Sequence, residues 1–214
     1  MSSADDPRGP VIGLLLAAGA GRRFDPAGER DKLLADADGM AVATRSARSL
    51  RKACDQVLAV VRPDSAMLRK ALVAGGIDEF VECADADLGM GHSLARGAIV
   101  ATGRKPRRLV VALADMPWLD GETIRALVAA ADAASARPGA SRAGLIVVPQ
   151  YRGRRGHPVV FGAAHLAALA RCEGDRGAAA LLAEYPVERI EVDDAGVIRD
   201  VDKPEDLLRL PDED

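Results

Sequence analysis

Four short runs of aliphatic residues limit what this chain can fold into: residues 11–17 (VIGLLLA), 56–61 (QVLAVV), 109–114 (LVVALA) and 145–148 (LIVV). Each is apolar at successive positions rather than alternate ones, so both faces of the strand it forms must be covered. Stripes at helical spacing lie between them: Met67, Leu68, Ala71 and Leu72, then Leu94, Gly97, Ala98 and Ala101, then Ile124, Leu127, Val128 and Ala131. This strand–helix alternation predicts an α/β fold, a mostly parallel sheet with helices on both faces. Shorter runs at 79–83 and 188–192 read as less central strands. Two segments break the pattern. Residues 150–161 (QYRGRRGHPVVF) carry two glycines inside a basic stretch, which predicts a hairpin or extended loop beside the sheet. Residues 133–144 read as a polar surface connection.

Composition fits that layout. Forty-one of the 214 residues are alanine and only six are aromatic, so the core is built from aliphatic strands and alanine-faced helices. The length suits one domain, expected over residues 11–210, behind a disordered tail at 1–10 that lacks the apolar stretch of a signal peptide. With 29 basic and 32 acidic side chains the net charge is −3, which excludes a general nucleic-acid binder with its basic footprint and stacking aromatics. No apolar run approaches the roughly 20 residues of a membrane span. Cys54, Cys83 and Cys172 are odd in number, far apart and without metal-ligand spacing. They read as buried free thiols of a cytoplasmic protein.

The chemistry is expected where strands end, because ligands of open α/β sheets bind beyond the carboxyl ends. The first strand runs into Ala17, Ala18, Gly19, Ala20 and Gly21, followed by Arg22 and Arg23. Small residues let backbone N–H groups approach a phosphate or base, and Arg23 adds fixed charge. The same glycines equally suit a tight turn. Phe24 stands where a dinucleotide fingerprint would have its third glycine, and no Walker lysine–hydroxyl pair occurs, so a P-loop is excluded. Lys32 is one of five lysines among 24 arginines, a compact charge suited to a phosphate.

Asp115 ends the run at 109–114, which places its carboxylate at the sheet edge, where a phosphate-bound Mg²⁺ needs one or two acids. Asp120 stands where a cap for the next helix is needed, leaving Asp115 free of that duty. Gly91 and Ser93 open a helix, a fair place for an anion or base edge and equally for a plain cap. His92 precedes Ser93 directly, too close in sequence for a nucleophile–base pair, so a hydrolase triad is rejected. Arg152, Arg154, Arg155 and His157, in the RGRRGHP stretch that also holds Gly156 and Pro158, could hold an anionic acceptor or form an exposed basic hairpin. His165 starts a helix and reads as structural.

Six motifs, LLLAAGAGRRF with Lys32, GMGHSL, LADMP around Asp115, RGRRGHPVVF, CEGDRGAAALL and GVIRDVDKPEDL, run in one order from residue 12 to residue 208. Together they resemble the MobA-like molybdenum-cofactor nucleotidyltransferases, and the LAAG form of the first loop with RGHP is more similar to the cytidylyltransferase branch than to the guanylyl branch. The resemblance implies CTP as co-substrate, Mg²⁺ as metal and a molybdopterin acceptor, with transient contact to a molybdoenzyme or its maturation factor. It implies that Arg23 and Lys32 neutralise the triphosphate, that Ala17, Ala18, Gly19, Gly21, Gly91 and Ser93 hold the nucleotide, and that Asp115 with Asp202 holds the metal. It also implies that Arg154, Arg155, Gly156, His157, Pro158 and Asp175 face the acceptor. The loop between Arg23 and Lys32 is longer than the family's, and Ala179 stands where many relatives carry arginine. Same-fold transfer from GTP or to another phosphorylated acceptor, and a non-catalytic module that delivers a nucleotide or cofactor, are the competing readings.

Overall fold

The computed structural model describes residues 9–27, 30–136, 144–175 and 177–208. Residues 1–8 of the expected tail and 137–143 of the expected connection lie outside them. Eight strands form one sheet: β1 (Val11–Leu16), β2 (Gln56–Val61), β3 (Phe80–Glu82), β4 (Arg108–Leu113), β5 (Ile146–Tyr151), β6 (Arg154–Arg155), β7 (Val159–Gly162) and β8 (Val187–Glu191). The order is β3-β2-β1-β4-β7-β5-β6, with β8 pairing on β5. Pairs among β1 to β4 are parallel, and so is β5 with β8, whereas β7 runs antiparallel between β4 and β5.

Successive residues of each central strand point to opposite faces, and both faces are dry. Val11, Leu15, Val57, Ala59, Val110 and Ala112 pack under α1 (Val42–Ala53) and α4 (Gly121–Ser135), with α2 (Ala66–Ala74) alongside. Ile12, Leu14, Leu58, Val60, Leu109 and Val111 pack under α3 (Met90–Thr102) and α5 (Leu166–Leu169). The short helix α6 (Ala179–Glu184) adds Leu181 to that second layer. A side chain on Gly97 of α3 would come within 2.4 Å of Leu14, so glycine there lets the helix sit directly on the strand.

The helical stripes hold with two corrections. In α2 only Leu68 and Leu72 are buried, while Met67 is 65% exposed and stays outside the core. The helix α4 continues to Ser135, so the surface connection starts later than residue 133, its alanines propagating the helix instead of breaking it. Asp120 caps that helix, accepting from the Glu122 amide at 3.0 Å. Residues 150–161 form the expected hairpin, β5 to β6, and then supply β7. All three cysteines are free and buried, and burial pushes the Cys54 thiol up to about 12, the state of an inert core sulfur. His165 is buried, its Nε2 3.0 Å from the Gly144 carbonyl, with Tyr185 edge-on at 4.7 Å.

Candidate active site

The parallel strands β1 and β4 end side by side, in register from Val11 opposite Arg108 to Leu16 opposite Leu113. The first loop and Asp115 therefore emerge at one edge. A short 3₁₀ turn, Lys32–Leu34, is capped by Asp31, which accepts from the Leu33 amide at 2.9 Å. Leu33 anchors that turn in the core, and this aims Lys32 back across the strand ends. Its ammonium donates to Asp115 Oδ2 at 2.6 Å and lies 3.6 Å from Asp202 Oδ1. Arg23 donates to Asp202 Oδ2 at 2.7 Å. Charges up to 179 residues apart in the chain thus meet at one point.

The segment after β8 makes that meeting possible. Gly196 lies against the Trp118 carbonyl so closely that an added Cβ would come within 2.3 Å of it. His157 N–H donates to the Val197 carbonyl at 2.8 Å, and Val201 N–H donates to the Asp115 carbonyl at 2.8 Å. With Val201 buried, its two neighbours Asp200 and Asp202 flank Asp115. Asp206 fixes the turn, accepting from the amides of Asp202 at 2.9 Å and Lys203 at 2.7 Å. Ligand oxygens of Asp115, Asp200 and Asp202 all lie within 4.8 Å of one another. Burial, with the carboxylates of Asp115 and Asp202 next, raises the Asp200 pKa above the usual range. Asp115 Oδ1 is buried and has no hydrogen-bond partner. Three clustered acids and an orphaned carboxylate oxygen fit a divalent cation with oxygen ligands.

Beside the cluster opens a cleft of about 420 Å³ bordered by the first loop, Lys32, Asp115 and Asp202. Gly19 projects into open space, and Gly21 has φ +61°, a left-handed turn that puts the Lys32 stem against it. Ala18 lines the cleft as a buried residue, its carbonyl accepting from Arg62 Nε at 2.9 Å. Arg62 also grips Asp87 through both terminal nitrogens, which holds the Asp87 carboxyl below its ordinary range.

The predicted residues separate into groups. Gly19, Gly21, Arg23, Lys32, Asp115 and Asp202 converge on this cleft. The Ala17 N–H is already committed to the Val60 carbonyl at 2.9 Å, so it has no donor left for a nucleotide. Gly91 donates to the Gly174 carbonyl at 2.7 Å, and a side chain there would strike Glu173, so this glycine fits loop to loop and does not border the cleft. Ser93 borders the cleft but is buried, 3.8 Å from Cys83 Sγ. Asp175 lines the cleft of the first loop, not the hollow beside the basic hairpin, because the 173–174 loop packs on Gly89 and Gly91. Arg154, Arg155, Gly156 and His157 border a separate hollow of about 190 Å³ with Asp200 on its wall. Pro158 leads from it into β7, and burial holds His157 below its ordinary pKa. Asp200 and Arg62 escaped the sequence reading. The alternation Asp200-Val201-Asp202 around one apolar residue was a usable signal for the former, and Arg62 had none.

A family model for the MobA-like NTP transferase domain matches residues 13–190. The chain belongs to the MobA-like NTP transferase family. It is 29% identical over 211 residues to the purine catabolism protein PucB of Bacillus subtilis, covering 93% of this chain and 96% of that one. It is 32% identical over 208 residues to nicotine blue oxidoreductase of Paenarthrobacter nicotinovorans, covering 94% and 96%. The crystal structure of Rv0371c from Mycobacterium tuberculosis matches with a TM-score of 0.75 at 25% identity, covering 94% and 96%, and its manganese complex with 0.70 at 26%, covering 96% and 100%. Family and fold are those of a nucleotidyltransferase. No helix among the described residues is long and apolar enough to cross a membrane.

Proposed function

We propose that the protein transfers CMP from CTP to the terminal phosphate of molybdopterin, releasing pyrophosphate, with Mg²⁺ as metal, in the cytoplasm. The observation that carries the transfer chemistry is the cluster at the cleft wall: Lys32 between Asp115 and Asp202, with one Asp115 oxygen unpartnered. Lys32 pairs with Asp115 and Asp202, and as a lining residue of the adjoining cleft it is within reach of a triphosphate there. Arg23, 77% exposed at its side chain, adds a second cation on the same wall. Asp115, Asp202 and Asp200 would hold a divalent cation, which supplies charge neutralisation at the phosphates. The manganese complex of the mycobacterial relative supports divalent-metal use. The acceptor phosphate is itself the nucleophile, so the chain needs no covalent intermediate, and its task is positioning and charge compensation.

CTP is favoured because the LAAG form of the first loop, with Ala18 at the cleft wall, is more similar to the cytidylyl branch than to the guanylyl branch, which has glycine there. One methyl discriminates by only ~1–3 kcal/mol, so some GTP use is expected. The molybdopterin acceptor, and contact with a molybdoenzyme or its maturation factor, rest on the sequence resemblance. Pyrophosphate release from CTP with and without molybdopterin tests the reading, with GTP in direct competition. Release that depends on molybdopterin and prefers CTP supports it. A GTP preference removes the cytidylyl assignment, release only with a different acceptor removes molybdopterin, and nucleotide binding without any release favours a delivery module.

A further inference from the structure

Among the described residues, none of helix α1 borders the nucleotide cleft. Its first turns nevertheless bond to the chain on both sides of the Lys32–Asp115 pair. The Val42 amide donates to the Ala35 carbonyl at 3.0 Å, and the Ala35 amide donates to the Lys32 carbonyl at 3.2 Å, so the helix start is tied to the turn that aims Lys32. Ser46 Oγ lies 2.9 Å from the Ala114 carbonyl and 3.2 Å from the Val42 carbonyl. A hydroxyl has one proton to give, and the Ala114 contact is the shorter. Arg45 Nε donates to the Pro117 carbonyl at 3.2 Å, while Nη1 of the same guanidinium donates to the Ala37 carbonyl at 3.2 Å and to Asp38 at 3.0 Å.

Strand β4 ends at Leu113, so the carbonyls beyond it leave the sheet ladder and need donors from elsewhere. Those of Ala114, Asp115 and Pro117 receive them from Ser46, the Val201 amide and Arg45 in turn. The Val201 bond brings the closing segment to the site, whereas the two α1 bonds fix the turn that carries Asp115. A guanidinium is a rigid planar fork, so the two carbonyls it bonds are kept at a set spacing. One of them lies just past the Lys32 turn and the other just past Asp115, the two stretches whose side chains meet at 2.6 Å. Ser46 is 4% exposed, and water does not compete for its bond. Reacting groups need to be held within about 0.5 Å of productive geometry by the residues behind them.

We infer that Arg45 and Ser46 are positioning residues that set the Asp115 carboxylate against Lys32, acting through the main chain and not on nucleotide or metal. The inference rests on the reading of this cleft as the nucleotidyl-transfer site and adds the brace behind its pivotal carboxylate. Ser46 holds the carbonyl immediately before Asp115, and Arg45 locks the spacing between the two turns.

The test compares full-length wild type with Ser46→Ala, Arg45→Met and Asp38→Asn. Three quantities are measured: pyrophosphate release from CTP with molybdopterin, Mn²⁺ binding without nucleotide by electron paramagnetic resonance, and thermal unfolding. Ser46→Ala and Arg45→Met should lower kcat about tenfold, keep the KM for CTP within about twofold and weaken Mn²⁺ binding about fivefold. Asp38→Asn removes the exposed ion pair and keeps both carbonyl bonds, so it should match wild type. Loss confined to the melting temperature, with wild-type kcat and Mn²⁺ affinity, overturns the inference, because a brace of the fold alone gives that result. A raised KM at unchanged kcat overturns it too, as does an Asp38→Asn defect equal to that of Arg45→Met. If Ser46→Ala does not fold, Arg45→Met decides, its side chain being partly exposed. Where wild type binds Mn²⁺ only together with CTP, the split between kcat and KM decides. Wild type that binds Mn²⁺ but releases no pyrophosphate overturns the nucleotidyl-transfer reading and leaves the brace to be judged on Mn²⁺ affinity. Wild type that does neither overturns both.

Discussion

The two ends of the sheet each gather opposite charges, and they are assembled in opposite ways. At the amino end Arg108, 5% exposed at the start of β4, donates to Asp132 at 3.1 Å, to the Ala131 carbonyl at 3.0 Å and to Ser135. Arg107 joins it, 3.4 Å from Asp132 and 3.8 Å from Asp55, and Asp55 also accepts from the Val11 amide at 2.8 Å. Two arginines face two aspartates, and the Arg108 donors are taken by neighbouring chain. Burial lowers the Arg108 pKa, and Asp132 opposes that shift. At the carboxyl end three aspartates face Lys32 and Arg23, one carboxylate oxygen has no partner, and Asp200 is held above its ordinary pKa. A closed cluster stabilises the fold. An open one, with acid in excess, is arranged for a cation that comes with a ligand.

Substitutions at the two ends should therefore separate activity from stability. Asp115→Asn gives the largest effect: turnover falls on the order of 10²-fold or more, with little change in melting temperature, measured by pyrophosphate release and thermal unfolding. Near wild-type turnover would take Asp115 out of the reaction. Lys32→Ala should lower kcat/KM for CTP by ~1.5–3 kcal/mol and leave the acceptor KM unaltered. Because Lys32 stands between the carboxylates, the same variant should gain more melting temperature from added Mg²⁺ than wild type does. An equal gain would mean that ammonium and metal do not share a site.

The amino end should give the converse. Asp132→Ala leaves Arg108 buried without its carboxylate and should cost about 2 kcal/mol of stability, less than a fully buried pair because Asp132 is partly exposed, with kcat unchanged. Chemical denaturation and the pyrophosphate assay check both halves. The smallest effect is a gain. Asp200 carries a raised pKa in the folded state, so its ionised form opposes folding at pH above that value and has no effect below the unfolded carboxylate pKa, where it is protonated in both states. Asp200→Asn should give a small gain in stability near neutral pH, reduced by solvent screening at this exposed position and fading as the pH falls through the carboxylate range, while weakening metal binding. Stabilisation that persists at pH 3 would show that charge is not its cause.

Much of this was readable in the chain. The runs that became β1, β2, β4 and β5 are apolar at successive positions, Gln56 apart, a pattern that doubly covered strands show, and Asp115 follows such a run where a strand must stop. The helix α1 was not read: VATRSARSLRKA has few large apolar residues, and it buries Val42, Ala43, Ala47 and Leu50 because Gly13 of β1 leaves room, an added Cβ there coming within 2.8 Å of Leu50. Met67 matched a helical stripe yet faces solvent, since periodicity marks a face without saying what covers it. Gly91 looked like a ligand glycine and proved to be a contact between loops, because a need for close approach has one signature whichever partner approaches.

The sequence by itself determined which residues form strands, which faces are dry, and that a carboxylate and a glycine-rich loop leave the sheet at strand ends. These follow from local patterns of hydropathy and backbone freedom, which act over a few residues. The tertiary structure decided that β7 inserts antiparallel beside β4, that Val201 docks on the Asp115 carbonyl, and that Arg23, Lys32, Asp115, Asp200 and Asp202 share one wall. Those meetings span up to 179 residues of chain. They are fixed by strand order and by burial of the closing segment, which no local pattern encodes.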